Sequence, residues 1–355
     1  MARLLKGRGA VSNPPPRFDP HHSEAVDDGW YTEPLPDSVA TRVQPEPART
    51  VITRNDSPDI GFSQSINPYR GCEHGCVFCY ARPSHAYLGL SPGLDFETKL
   101  FYKAQAAERL TAELSKPRYV PKTIMLGANT DPYQPLEKRL KVTRSILEVL
   151  AKCRHPVSIV TKGALIERDL DILATMAEQN LSSVMVSLTT LDADLKRRLE
   201  PRAASPLARL ATIRRLHAAG VPVGTLIAPV IPALTDHELE RLLEAAADAG
   251  ARCAGYVVLR LPHELKDLFR DWLATHYPER AQHVMSRIQS IRNGRDNDPA
   301  FGSRMRGSGV DAALLARRFE VATRRLGLET RWGFTLDTSR FQPPKAASPQ
   351  LTLAF

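Results

Sequence analysis

The sequence predicts an α/β fold of repeated strand and helix units laid around a parallel sheet. Three observations point there. Short β-rich apolar runs recur from about residue 59 onward, amphipathic helical segments alternate with them, and the spacing of one unit to the next is about 30 residues. The apolar runs are 123–126, 157–160, 184–188, 223–227 and 255–259, with a less apolar one at 63–66, giving six strands.

The helices between them announce their own ends. Ser205 stands as N-cap before Pro206 at the first helical position, Leu207, Leu210, Ala211 and Ile213 or Arg214 follow, and Gly220 ends the run. Thr235 and Glu238 have capping-box spacing ahead of a stripe of Leu239, Leu242, Leu243 and Ala246, and Gly250 is the stop. Leu140, Ile146, Leu147 and Leu150 mark a third helix, and Leu170, Leu173 and Ala177 a fourth. Right-handed units of this kind curl into an open doubly wound sheet or a barrel, and six would leave a barrel incomplete. In both cases the chemistry belongs at the carboxyl ends of the strands, just after each apolar run.

The flanks differ from this core, which spans 59–260. Residues 1–58 hold nine of the 28 prolines, including Pro14, Pro15 and Pro16, and read as an extended or partly disordered arm that Trp30 could anchor. Residues 261–355 read as an extension: a helical stretch, an Arg- and Gly-rich loop over 287–306, a helix through Arg318 and Phe319, and a loose tail with PPKAASP.

With 43% hydrophobic and 25% charged residues, the chain is neither fibrous nor wholly disordered. Its net charge of +9 and pI near 9.4 favour polyanions without naming one. No apolar run reaches signal-peptide or membrane-span length, so a cytoplasmic location without membrane contact is expected. Five cysteines, three of them within eight residues, suit metal chemistry in a reducing compartment better than a disulfide framework.

Those three, Cys72, Cys76 and Cys79 in GCEHGCVFCY, form a C-x3-C-x2-C run directly after the first expected strand. Three thiolates on a four-iron cube leave one iron open, as a catalytic metal site requires. Gly71 and Gly75 let the loop wrap closely. Two other readings share these cysteines. One is a zinc site completed by His74 or His85 in a nucleic-acid-binding module; the other is a fully liganded cluster completed by Cys153 or Cys253. Otherwise Cys153, at a helix end, and Cys253, near a strand start, read as buried structural thiols.

The cysteine run, with aromatic Phe78 just before its last member, resembles the signature of the radical S-adenosylmethionine (SAM) superfamily. SINPYRGCEHGCVFCYARP, TDPYQPLE and TKGALIERDLDIL resemble the branch that contains spore photoproduct lyase, a DNA-repair enzyme, over about residues 50–260, while KGRGA, DDGW and the Arg-rich loop resemble an uncharacterised subgroup. The resemblance implies a partial (β/α)6 TIM-like barrel, a 4Fe-4S cluster on the three cysteines, and SAM as partner. It also implies an external electron donor of flavodoxin or ferredoxin type, and radical chemistry, lyase-type or other, on an unknown substrate with nucleic acid as one candidate. Carried over by position, Phe78 packs near the adenine and the Tyr80 region meets its exocyclic amine. Asn129 and Thr130 approach the methionine moiety, Lys162 pairs with the SAM carboxylate, Ser187 contacts ribose or carboxylate, and Glu200 with Arg202 forms a further polar pair near the cofactor. Spore photoproduct lyase uses an additional cysteine as hydrogen donor, and neither Cys153 nor Cys253 matches its position, which argues against thymine-dimer repair. Tyr133 and Tyr256 are the candidate stacking platforms for a base.

Overall fold

The computed structural model describes residues 4–19, 38–330 and 334–344. Trp30 and most of PPKAASP lie outside the described residues. Ten strands are found among them: β1 (Arg42–Pro45), β2 (Ile52–Arg54), β3 (Gln64–Ile66), β4 (Tyr69–Arg70), β5 (Lys99–Tyr102), β6 (Ile124–Leu126), β7 (Val157–Thr161), β8 (Ser182–Leu188), β9 (Val223–Val230) and β10 (Ala254–Val258). The helices are α1 (Asp95–Thr98), α2 (Ala106–Leu114), α3 (Glu137–Leu140), α4 (Val142–Lys152), α5 (Leu170–Ala177), α6 (Ala193–Leu199), α7 (Pro206–Ala218), α8 (Leu239–Asp248), α9 (Leu265–His276), α10 (Pro278–Ser290), α11 (Ser303–Arg306) and α12 (Gly309–Arg325).

All six expected strands form, and their order decides between the two architectures. The main sheet runs β10-β9-β8-β7-β6-β3-β2, with every pairing from β3 to β10 parallel. A doubly wound sheet reverses its strand order partway; this one follows the chain throughout, as a barrel wall does. No pairing joins β10 to β2 among the described residues, so the barrel is incomplete.

The seventh strand, β2, adds antiparallel to β3, and β1 pairs in parallel with β5 in a separate sheet ordered β1-β5-β4. Both β1 and β2 fall in the stretch expected to be an extended or partly disordered arm. Their short, polar sequences, RVQP and ITR, show little apolar alternation, and the pairing comes from the partner strand. Residues 4–19 dock on the core: Arg17 pairs with Glu264 at 3.1 Å, and the Ser12 hydroxyl donates to Asp271 at 2.7 Å.

The core lies between the sheet and the helices outside it. Ile146, Leu147, Leu150, Leu173, Ile213, Leu216, Leu242 and Leu243 pack on Ile124, Leu126, Val157, Ile159, Val184, Val186 and Val223. Each side chain of this kind contributes about 1.5–3 kcal/mol when fully buried. Ser205 caps α7 as expected, its hydroxyl accepting from the Ala208 N–H at 3.2 Å. The capping box at Thr235 does not form: Thr235 accepts from Ile231 N–H at 2.9 Å, and Glu238 accepts from Thr190 and Leu191 across the fold. Leu140 belongs to α3, which Lys141, at φ 55°, separates from α4. The expected C-terminal helical stretch is two helices, α9 and α10. Their Phe269, Trp272, Val284 and Ile288 form a second core with Val77, Phe78 and Leu199, beneath the cysteine loop.

Candidate active site

The cysteine loop occupies the turn between β4 and the 3-10 helix Arg82–Leu88. Gly71 and Gly75 both have positive φ, 74° and 68°, and a Cβ on either would strike neighbours, Leu100 Cδ2 at 2.5 Å and Glu97 Oε2 at 2.8 Å. These two glycines are therefore required by conformation and by space.

The loop is tied down on every side. Arg82, fully buried, donates to the Cys76 and Gly93 carbonyls, each at 2.8 Å, and pairs with buried Glu97. The Glu97 carboxylate also accepts the Gly9 and Ala10 N–H groups at 3.0 and 2.9 Å, so the N-terminal segment grips the base of the loop. From TDPYQPLE, the Gln134 side chain accepts from Glu73 N–H at 2.9 Å and donates to the Gly71 carbonyl at 3.2 Å. Cys72 N–H donates to Phe96 O, and Val77 N–H to Leu199 O, both at 2.9 Å.

All three cysteines of the run face one cavity of about 310 Å3 at the carboxyl ends of the barrel strands. Five pairs along its wall keep the two-residue period of a strand, Met125 and Gly127, Val160 and Lys162, Met185 and Ser187, Leu226 and Ala228, Val258 and Arg260, and Thr161, Pro229 and Val257 line it beside them. Phe78, Tyr80, Asn129 and Thr130 line it as well. The Tyr80 hydroxyl donates to the Ala128 carbonyl, Thr130 donates to Tyr69 O at 2.8 Å, and Lys162 Nζ stands 5.4 Å from the Phe78 ring centre.

Glu200 and Arg202 do not line the cavity. The expected pair is not made: Arg202 goes to Glu73 at 3.2 Å, while buried Glu200 takes Arg209 and, at 3.3 Å, Lys162. The reason is directional, since Arg209 reaches Glu200 from α7 through the interior while Arg202 points to the partly exposed side. Burial pushes the Glu200 carboxyl up, but Arg209 and Lys162 outweigh it and hold the group below its usual range. Burial likewise pushes up Asp131, and His74 at 3.3 Å, with the Lys162 N–H and Thr161 hydroxyl at 2.7 Å, brings it net down.

Three sequence expectations lose their geometry. His74 is turned to Asp131 and His85 to the Lys99 carbonyl at 2.9 Å, and among the described residues no three His, Cys, Asp or Glu side chains are grouped to hold a single metal ion, as zinc would need. Cys153 and Cys253 are buried and do not line the cavity, so neither is a fourth donor to the run. Tyr133 and Tyr256 are both about 1% exposed and offer no face to a base.

Residues 66–246 match the Radical SAM superfamily. The protein is 40% identical over 250 residues to the uncharacterized protein Rv2578c of Mycobacterium tuberculosis, covering 70% of this chain and 72% of that one. The chain belongs to the radical SAM superfamily.

It is thus a radical SAM enzyme, a class that works with a 4Fe-4S cluster and SAM. A second relative, the uncharacterized protein MJ0683 of Methanocaldococcus jannaschii, is 30% identical over 185 residues, 50% of this chain and 64% of that one. In fold the chain is similar to spore photoproduct lyase complexed with dinucleoside spore photoproduct, at TM-score 0.58 and 14% identity over 81% of each chain. It is also similar to a spore photoproduct lyase double mutant with bound AdoMet and dinucleoside spore photoproduct, at 0.56 and 15% over 82% of each. The radical SAM donor set is present here as three thiols on one cavity, none in a disulfide. Burial pushes all three thiols up from their ordinary range.

Sequence reasoning passed over the residues that hold this site in place: Arg82, Glu97, Asp131, Gln134 and Arg209. Arg260 it could have found, because Arg260 directly follows the last apolar run, where chemistry was expected.

Proposed function

We propose that Cys72, Cys76 and Cys79 hold the 4Fe-4S cluster, and that Phe78, Tyr80, Asn129, Thr130, Lys162 and Ser187 receive SAM in the adjoining cavity. The observation that carries this reading is the convergence of all three thiols on a cavity whose other walls are the strand ends. The chemistry supplied when both are bound is one-electron cleavage of SAM to methionine and a 5′-deoxyadenosyl radical, which takes a hydrogen atom from the substrate. Lys162 presents a compact ammonium for an anionic group of SAM. Glu200 and Arg209, buried behind Lys162, position that ammonium. Met125, Met185 and Leu226 supply an apolar floor that keeps water from a reactive centre.

The electron donor in this reading is a flavodoxin or ferredoxin type protein, and the enzyme works in the cytoplasm, where unpaired thiols persist. A nucleic-acid substrate is supported by the net charge of +9. A duplex base would have to be extruded to reach the cavity.

Anaerobically purified protein should be brown, carry iron and sulfide, and release 5′-deoxyadenosine from SAM under reduction, with deuterium from a labelled substrate appearing in that product. Colourless protein holding one tightly bound zinc and no iron would overturn the reading.

A further inference from the structure

Besides the cysteines, His74 and Tyr80, four ionisable side chains line the cavity: Asp59, Asp131, Lys162 and Arg260. Three of them have an ionisable side-chain partner in place. Asp131 has His74 at 3.3 Å, Lys162 has Glu200 at 3.3 Å, and Asp59 has Arg304 at 2.5 Å together with the Gly302 N–H at 2.8 Å. Arg260 has no carboxylate within ion-pair distance among the described residues. Its Nη1 rests 3.7 Å from Met305 Sδ, its guanidinium carbon lies 5.8 Å from the Tyr80 ring centre, and its Nε is buried without a hydrogen-bond partner.

The surroundings add positive charge. Fully buried Arg292 donates to the Val258 and Leu259 carbonyls just before Arg260, and Arg306 sits 4.0 Å from the Tyr256 ring centre on the same strand. Arg306 and Met305 of α11 are thus laid against β10 and Arg260, while Arg304 turns to Asp59. A guanidinium does not shed its proton under such pressure, so a cation here with open donors is stabilised by an anion that can take its fork. Burial and Arg304 push Arg260 down from its ordinary value and outweigh the upward pull of Tyr80 and of the Asp59 carboxylate, which Arg304 already holds.

We propose that Arg260 is the anchor for an oxyanion, a phosphate or carboxylate, carried by the substrate. The inference rests on the reading that this cavity also receives SAM. Within it, Lys162 and Arg260 lie just past the ends of β7 and β10, three strands apart, or roughly 14 Å along the sheet. Lys162 stands beside Phe78 and Arg260 beside Tyr80, two residues further along the cysteine loop, so the two cations serve different parts of the cavity.

The test uses anaerobic holoenzyme and its thermal unfolding midpoint, with inorganic phosphate or acetate added at constant ionic strength set by sodium chloride, in the presence and absence of SAM. At least one oxyanion should raise Tm by about 2 °C or more through ligand linkage, and should do so with SAM bound. In Arg260→Gln the rise should fall by more than half. Arg317→Gln, which removes an exposed charge paired with Glu320, should retain it. A response to phosphate alone marks a phosphate ester, and a response to acetate alone a carboxylic acid.

The inference is overturned if neither anion raises Tm in the wild type, if Arg260→Gln responds equally, or if SAM abolishes the rise, since Arg260 would then belong to the cofactor. Iron content and 5′-deoxyadenosine release are measured on the same preparations. Protein that passes those and shows no anion response sinks only the Arg260 assignment. Protein without a cluster sinks the proposed function, while its anion response still reports on Arg260.

Discussion

Glu200 Oε2 lies 3.3 Å from Lys162 Nζ, and the other oxygen of the same carboxylate is held by Arg209, so one buried anion serves two cations. Removing Arg209 would leave Glu200 buried with half its compensation, and would also strip donors from the Ser187 and Ala204 carbonyls, bonded at 3.0 and 2.9 Å. Arg209→Ala is therefore expected to cost about 3–5 kcal/mol of folding stability. Urea unfolding of the variant against wild type measures it; a loss below about 1 kcal/mol would contradict the assignment.

The five cysteines should separate into two groups. Cys72→Ala, Cys76→Ala and Cys79→Ala should each lose the visible absorbance of an iron-sulfur centre and all 5′-deoxyadenosine release. Cys153→Ala and Cys253→Ala, away from the cavity, should keep both while losing about 1 kcal/mol or more of stability. Iron analysis on the five variants checks this, and cluster loss in either of the last two would restore a four-thiolate arrangement.

Gly9 has no room for a side chain. A Cβ there would stand 1.8 Å from the Gly75 carbonyl oxygen, within the cysteine loop itself. Gly9→Ala should push the N-terminal segment off Glu97 or displace the loop, and either outcome should speed the loss of iron to a chelator severalfold. The exposed change Leu4→Ala serves as the control. Chelation kinetics that match between Gly9→Ala and wild type would refute the bracing role.

Acid should weaken the fold through His155. Burial lowers its pKa from 6.5 to about 4, so the folded imidazole stays neutral where the unfolded one takes a proton. The stabilisation is complete above about 6.5 and is lost as pH falls toward 4, at roughly 1.4 kcal/mol per pH unit between. Denaturation measured from pH 7 to 5 in wild type and His155→Gln reads this directly, the variant showing the shallower slope.

Much of this molecule was legible in its residues, for reasons that differ by element. Five of the six barrel strands were found because each is a largely apolar, largely buried run, β3 with Gln64 and Ser65 being the less apolar exception, and the Ser205-Pro206 start of α7 because a cap is a local device. The Thr235 and Glu238 spacing misled because both side chains were claimed by partners, Ile231 locally and Thr190 far off in sequence. Strands β1 and β2 carry no pattern of their own and exist through β5 and β3. At the site, cysteine spacing was sufficient to locate the thiols, since that chemistry is written within eight residues. The Arg82–Glu97 and Arg209–Glu200 pairs were not legible, because a buried ion pair reads as two ordinary surface charges until the chain is folded. Glu200 was singled out with the wrong arginine for the same reason.

The gap between the outer strands of the sheet has a mechanical meaning. Asp59, just ahead of β3, and Arg304, on α11, are 245 residues apart in the chain and meet across it. That stretch of the wall is closed through the Asp59 side chain, with no ladder of backbone bonds between β2 and β10 among the described residues. Single substitutions at Asp59 or Arg304 therefore act on this seam, while they leave the paired strands elsewhere as they are.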